Sequence, residues 1–268
     1  MTKNRYKIYF SISLFLILLN FQLPVVSVVE SKEAISASKE TQTIPPAPPP
    51  KKLLAIDPGH GGKDTGCKGL KDLAEKAITL KLALMVKEIL SKNQNVNVFL
   101  TRREDVDLSA EKRVFLANSK GADLFLSLHI NASFDRNQKG IEIYYYSEDN
   151  LGFASSQYQP QALNTEASNE EKKSLVLPWN EEQNLFIQKS FEVASFLEES
   201  FKTSGEVVFR SVNPAPLSPL TGTAMPAVVI EAGYITNPEE EAALTRDGYL
   251  KIIAIKIAEG IRKYFENK

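Results

Sequence analysis

Cysteine is almost absent from this sequence, because Cys67 is the only one in 268 residues. A single cysteine cannot close a disulfide within the chain, so cysteine usage does not indicate the redox compartment. Cys67 lies in a glycine-flanked loop, where it is either a nucleophile or a passive loop residue. We favour the passive role, since His60 is the only histidine close to it in sequence.

The sequence also lacks an excess of charge of either sign and any internal repeat. The formal net charge is −1, and no segment carries a dominant stripe of basic residues. Proteins that bind nucleic acid generally have such a stripe, because it contacts the phosphate backbone. We therefore expect no nucleic-acid partner.

The N-terminus has the pattern of a secretory signal. Three basic residues precede an apolar run from Ile8 to Phe21, and small residues precede a cleavage site after Ser27. We predict that residues 1–27 are a signal peptide and that the mature chain is exported, to the periplasm or to the cell envelope and extracellular space. An uncleaved anchor is the alternative, but the apolar run is short for a membrane span. After cleavage we expect no stable membrane span.

Two further segments have compositions that do not favour a packed core. Residues 28–52 are rich in Ser, Glu, Lys and Thr and end in prolines, which predicts a disordered tether. Residues 148–179 are polar, show no period and are longer than the usual connection within a domain. We predict a long variable loop there, either a functional lid or a disordered segment, within a single folded domain at residues 53–268.

Apolar strands alternate with amphipathic helices in that domain. This order predicts an α/β fold, with a mostly parallel sheet that helices cover on both faces. The predicted strands are 53–56, 95–101, 122–129, 140–147, 207–210 and 227–230, and the predicted helices are 74–90, 110–119, 181–202 and 248–264.

Polar side chains occur where three predicted strands end and where one helix begins. His60, His129 and Glu231 follow or end apolar strands, and Glu75 lies in the first turn of a helix. Because the carboxyl ends of parallel strands meet at one edge, these four residues can converge. Two imidazoles and one carboxylate are a ligand set for catalytic zinc, and the remaining carboxylate can transfer protons. Each residue also has a structural alternative, such as a hydrogen-bonded histidine or a first-turn carboxylate.

Several motifs, in the same order along the chain, resemble those of the zinc-dependent N-acetylmuramoyl-L-alanine amidases of the type 3 class. The resemblance covers residues 53 to 264. Its motifs are LLAIDPGHGG (53–62), EK (75–76), LTR (100–102), AN (117–118), GADLFLSLHINA (121–132), GIEIYYY (140–146) and PAVVIEAGYITN (226–237).

The resemblance implies a central six-stranded sheet and one zinc ion per chain. It implies that His60, Glu75 and His129 bind the metal and that Glu231 is the catalytic carboxylate. The implied reaction is hydrolysis of the amide bond between N-acetylmuramic acid and L-alanine in peptidoglycan. Residues 148–179 lie where some members carry an inserted segment that blocks the zinc until an activator protein displaces it, so an activator is a hypothesis here.

Four other residues have open roles. Ala77 stands where the family often has an acidic residue, which should affect the electrostatics of the helix start more than ligation. Glu142 lies in a family-like strand, and we favour a structural role for it. Arg102 and Arg113 either bind peptide carboxylates or pair with nearby acidic residues, and we favour the second alternative.

Two other functions compete with the amidase. One is a zinc peptidase that acts on another bond of the stem peptide. The other is a non-catalytic wall-binding domain, for which we would expect at least one of the four site residues to be missing. All four are present.

Overall fold

The computed structural model of the protein describes residues 51–92, 95–147 and 179–268. The predicted signal peptide (1–27), nearly all of the predicted tether (28–52) and nearly all of the predicted loop (148–179) lie outside the described residues. Within the described part, no helix is both long enough and apolar enough to cross a membrane.

Six strands and five α-helices make up the described chain. The strands are β1 (Lys52–Pro58), β2 (Val96–Leu100), β3 (Leu124–Asn131), β4 (Ile141–Tyr145), β5 (Phe209–Pro214) and β6 (Ala227–Tyr234). The helices are α1 (Glu75–Leu90), α2 (Ala110–Ser119), α3 (Trp179–Lys202), α4 (Pro238–Leu244) and α5 (Asp247–Glu266), and a short 3-10 turn spans Ser218–Leu220.

The strands form one sheet in the order β2-β1-β3-β6-β4-β5. Strands β2, β1, β3 and β6 are parallel to one another, β4 is antiparallel to β6, and β5 is parallel to β4. The α/β fold with a mostly parallel six-stranded sheet is therefore confirmed. The parallel group places the ends of β1, β3 and β6 at one edge, where the candidate site residues lie.

The two faces of the sheet are covered unequally. The large core lies between one face and helices α1, α3 and α5, and it includes Leu126 and Val228. Alternate residues of the same strands, such as Phe125 and Val229, point to the opposite face and join a much smaller core with α2 and the 3-10 turn. We call the first the thick face and the second the thin face.

Several predicted boundaries were wrong. The strands β3 and β6 continue past His129 and Glu231, because the ladder between them extends as far as the pairing of Asn131 with Tyr234. The two site residues therefore lie inside strands, near their ends. Strand β5 begins at Phe209 rather than at residue 207.

The helix α4 was not predicted from the sequence. Its signal is the dipeptide Asn237-Pro238, in which the Asn237 side chain accepts hydrogen bonds from the backbone amides of Glu239 and Glu240. Proline at the first helical position and an asparagine cap are typical of a helix start.

Candidate metal centre

The loop that follows β1 carries His60 in an unusual backbone conformation. His60 has a φ of 60°, a left-handed value that few residues other than glycine adopt. Gly59 lies directly against a second histidine, since a Cβ atom built on it would be 2.4 Å from the ring of His129. The glycine therefore lets the two imidazoles approach each other.

Two buried arginines hold this loop from behind. Arg102 donates a hydrogen bond to the carbonyl oxygen of Gly59 at 2.8 Å. Arg113 donates to the carbonyl oxygen of His60 at 2.7 Å and forms an ion pair with Asp57 at 2.9 Å. Both guanidinium groups are thus engaged inside the protein. Arg113 pairs with an acidic residue, as the alternative favoured from the sequence states, whereas Arg102 donates to carbonyl oxygens such as those of Gly59 and Pro58 and pairs with no carboxylate of the described residues. Neither is placed to bind a substrate carboxylate.

The structure brings His60, Glu75 and His129 together. The Oε1 atom of Glu75 lies 3.0 Å from Nε2 of His60 and 3.1 Å from Nδ1 of His129. One donor atom from each residue lies within 4.8 Å of the other two. Three nitrogen and oxygen donors at such separations form a group that can hold one metal ion.

Helix α1 and two backbone amides fix the carboxylate of Glu75. The helix buries an apolar stripe that includes Ile78 and Leu82, which places its first residue under the site. The backbone amides of Ile130 and Cys67 donate to the two carboxylate oxygens, each at 2.9 Å. Burial raises the pKa of Glu75, but hydrogen bonds from the two histidines and from Ile130 outweigh it and hold the pKa well below its usual range. The side chain is therefore an anion.

Asp64 supports His60 from the side away from Glu75. Its Oδ2 atom lies 2.8 Å from Nδ1 of His60, which leaves Nε2 directed toward the other two donors. Burial lowers the pKa of His60, but the carboxylates of Glu75 and Asp64 together raise it by a larger amount, so the net shift of the pKa is upward. A carboxylate on the second nitrogen of a metal-binding histidine is common, because it fixes the ring and its tautomer. Asp64 was not identified from the sequence, because its contact with His60 depends on the left-handed turn at that histidine.

Glu231 lies beside His129 in the sheet. The two residues are register partners on β6 and β3. Among the described residues, Oε2 of Glu231 has no hydrogen-bond partner although it is buried. Burial raises the pKa of Glu231 to about 7; the imidazole of His129 opposes this rise, and the charges of Glu75 and Glu142 add to it. The group can therefore gain and lose a proton near neutral pH.

These residues surround an open cleft of about 380 Å³. Its walls are His60, Asp64, Gly66, Cys67, Glu75, His129, Ile130, Asn131, Ala132 and Glu231. Burial is the largest of several effects that raise the pKa of the Cys67 thiol, and the charge of Glu75 is the next. A raised pKa disfavours the thiolate, which agrees with the passive role expected for this cysteine.

The match to a family model identifies the kind of protein. The model described as N-acetylmuramoyl-L-alanine amidase matches residues 54–263. This chain belongs to that family. The amidase is therefore a hydrolase, and the family reaction is cleavage of the amide bond between N-acetylmuramic acid and L-alanine in the cell wall. The resemblance inferred from the motifs is confirmed.

Individual relatives agree with this assignment. The amidase is 31% identical over 222 residues to the N-acetylmuramoyl-L-alanine amidase AmiA of Escherichia coli (strain K12), with 80% of this chain and 76% of AmiA covered. It is 34% identical over 217 residues to an endolysin of Bacillus phage SPP1, with 81% of this chain and 67% of the endolysin covered. The catalytic domain of the amidase CwlV from Bacillus (Paenibacillus) polymyxa var. colistinus is similar in structure, with a TM-score of 0.63, 28% identity, and coverage of 81% of this chain and 99% of CwlV.

Proposed function

We propose that the amidase is a zinc enzyme in which His60, Glu75 and His129 bind one zinc ion per chain. The observation that carries this proposal is the convergence of three donor atoms within 4.8 Å of one another. Two imidazoles and a carboxylate suit zinc, and three protein ligands leave a coordination position for chemistry. Zinc bound there would supply Lewis-acid activation of the amide carbonyl and of the attacking water.

In this proposal Glu231 is the residue that transfers protons during the reaction. It accepts the proton of the attacking water and then donates it to the nitrogen of the leaving L-alanine. The carboxyl group must change protonation state twice in each turnover, and burial, which raises its pKa in the metal-free protein, favours the protonated form that the second step needs. The register pairing with His129 supports this role, since it puts the carboxylate next to the ligand group.

The supports of the ligands have positioning roles. Asp64 holds the imidazole ring of His60 so that Nε2 would be available to the metal, and the amides of Ile130 and Cys67 orient the two oxygens of Glu75. Arg102 and Arg113 fix the loop carbonyls around His60. Fixed ligands reduce the reorganisation that metal binding would otherwise require.

We further propose that the amidase acts on peptidoglycan outside the cytoplasm. The sequence patterns of a signal peptide at 1–27 and of a tether at 28–52 support export.

An activator that displaces residues 148–179 remains a hypothesis, and deletion of residues 150–177 tests it. If purified sacculi are cleaved no faster by the deleted form, the loop does not inhibit the enzyme.

Metal content and product chemistry together test the proposed function. Purified wild type and Glu231→Gln should each contain about one zinc ion by elemental analysis. On peptidoglycan, wild type should release peptides with free L-alanine amino termini and leave the glycan intact. Glu231→Gln should lose about 10²- to 10⁴-fold in kcat, because it cannot accept a proton.

Two results would contradict the proposal. Wild type that contains no zinc after growth in zinc-supplemented medium would overturn the ligand assignment. New amino termini other than L-alanine would indicate the alternative function, a zinc peptidase that cuts another bond of the stem peptide.

A further inference from the structure

The thin face of the sheet continues beyond the metal centre toward β5. Glu142 on β4 is the register partner of Glu231 on β6. Side chains of directly opposed residues on antiparallel strands lie side by side on one face. Glu142 also accepts a hydrogen bond at 3.1 Å from Asn131, which lines the cleft. The cleft and the environment of Glu142 are therefore contiguous.

A β-bulge adds one residue to this face. Ile141 pairs with Phe209, but the next residue, Glu142, pairs with Ser211, so Arg210 is the extra residue of β5. A bulge changes the direction of a side chain without breaking the pattern on either side of it. Here Arg210 reaches the side chain of Glu142 on the thin face, while Phe209 packs against the core of the thick face.

The guanidinium group of Arg210 is held but not enclosed. Its Nε donates to Oε1 of Glu142 at 2.9 Å, and its Cζ lies 5.6 Å from the ring centre of Tyr234. Its Nη1 has a long contact of 3.4 Å with the carbonyl oxygen of Lys139. Among the described residues, Nη2 donates no hydrogen bond, and 36% of the side chain is exposed. The group is thus fixed at one edge and presents its other edge to solvent.

The carboxylate of Glu142 has a full set of hydrogen-bond donors within the protein, without a substrate. It accepts hydrogen bonds from the hydroxyl groups of Tyr144 and Tyr234, each at 3.0 Å, as well as from Asn131 and Arg210. This agrees with the structural role expected from the sequence. Its two carboxylate oxygens orient the side chains of Arg210 and Asn131, since Oε1 accepts from Arg210 and Oε2 accepts from Asn131.

We propose that Arg210 binds a carboxylate of the peptide substrate, on the residue that follows L-alanine. The inference rests on the proposed function, because that reaction places L-alanine at the metal and the rest of the peptide beyond it. A guanidinium group with a fixed plane recognises a carboxylate through two parallel hydrogen bonds. The neighbouring carboxylates of Glu142 and Glu231 favour a single negative charge over a phosphate. The buried Arg102 and Arg113 do not compete for this role.

A pair of uncleavable ligands tests the proposal by binding alone. The ligands are synthetic peptides that begin with L-alanine and carry either a carboxylate or a carboxamide on the second residue. The full chain should bind the carboxylate form about tenfold tighter by calorimetry, or 1.4 kcal/mol. Arg210→Gln should bind the two forms equally, and Arg210→Lys should keep only part of the preference. Lys139→Gln, which removes a half-exposed cation paired with Glu239, is the matched control and should behave as wild type.

The outcome separates this proposal from the proposed function. Equal binding of both peptides by wild type, or an undiminished preference in Arg210→Gln, would overturn the role of Arg210. If Arg210→Gln does not fold, Arg210→Lys decides, since it keeps the charge and loses the planar pair of hydrogen bonds. With the corresponding muramoyl peptides, Arg210→Gln should raise KM for the carboxylate form at an unchanged kcat. Failure of wild type to cleave any muramoyl peptide would overturn the proposed function, and the binding data would still decide the role of Arg210.

Discussion

The two faces of the sheet divide stability and chemistry between them. On β3, Leu126 and Leu128 point into the large core of the thick face, whereas Phe125 and His129 belong to the alternate set on the thin face. The same alternation on β6 places Ile230 on the thick face and leaves Glu231 to the candidate active site. Among the described residues, helices α1, α3 and α5 cover the first face, and α2 and a short turn cover the second.

This difference explains how the protein holds charged groups at the edge of its sheet. Burial of an uncompensated carboxylate costs free energy, as the raised pKa of Glu231 shows. Apolar burial on the thick face stabilises the fold and can offset the free energy that burial of this carboxylate costs. The thin face therefore does not need a large apolar core of its own.

The largest expected effect comes from filling the space between the two histidines. A Cβ atom on Gly59 would lie 2.4 Å from the ring of His129, so Gly59→Ala should displace that ring. We expect kcat/KM to fall by about 100-fold or more, since a misplacement of a catalytic group by about 1 Å can reduce the rate by this factor. Gly248→Ala is the control, because a Cβ there meets nothing within 4 Å. Wild-type activity and zinc content in Gly59→Ala would show that the edge tolerates movement and would contradict the fixed geometry described above.

A second prediction concerns the pH dependence of stability in the metal-free protein. The folded-state pKa of Glu231 is raised to about 7 from a usual value near 4.5, so its ionisation opposes folding. The cost is absent below pH 4.5, grows between pH 4.5 and 7, and then stays constant. Glu231→Gln should therefore be more stable than wild type by about 3 kcal/mol at pH 8 and equally stable at pH 4.

Urea unfolding of both proteins in the presence of a chelator measures this difference. A pH-independent gap would mean that Glu231 does not ionise inside the folded protein. Added zinc should reduce the gap at pH 8, because a nearby dication stabilises the carboxylate.

A third, smaller effect is expected from the support of His60. Asp64→Asn should weaken zinc binding about 10- to 100-fold, because the amide is a poorer partner for Nδ1 than the carboxylate. Asp72→Asn changes an exposed aspartate of the same loop and should leave the affinity unchanged. Competition with a fluorescent zinc chelator measures both. Equal affinities in Asp64→Asn and wild type would show that Asp64 does not orient the ring.

The sequence was sufficient to predict most of the fold and to select four residues, His60, Glu75, His129 and Glu231, that the structure brings to one cleft. Apolar strands in alternation with amphipathic helices predicted the sheet, and the resemblance to the family alone suggested different roles for Glu75 and Glu231. Asp64 was missed because its contact with His60 depends on the left-handed turn at that histidine. The role of Arg210 depends on a bulge, and no local pattern in FRSV indicates that two residues of β5 oppose one residue of β4.

The smallest predicted effect compares the two faces directly through two adjacent valines. Val228 and Val229 on β6 are both fully buried, but Val228 lies in the large core and Val229 in the small one. Each Val→Ala change removes the same methyl groups, so the difference between them reports how far each layer relaxes around the cavity. We expect the free energy of unfolding to fall by about 2 kcal/mol for Val228→Ala and about 1 kcal/mol for Val229→Ala, because the thin layer can collapse more easily. Equal losses in urea unfolding would mean that the thin face is as rigid as the thick one, so that the stability of the site edge would depend on both layers.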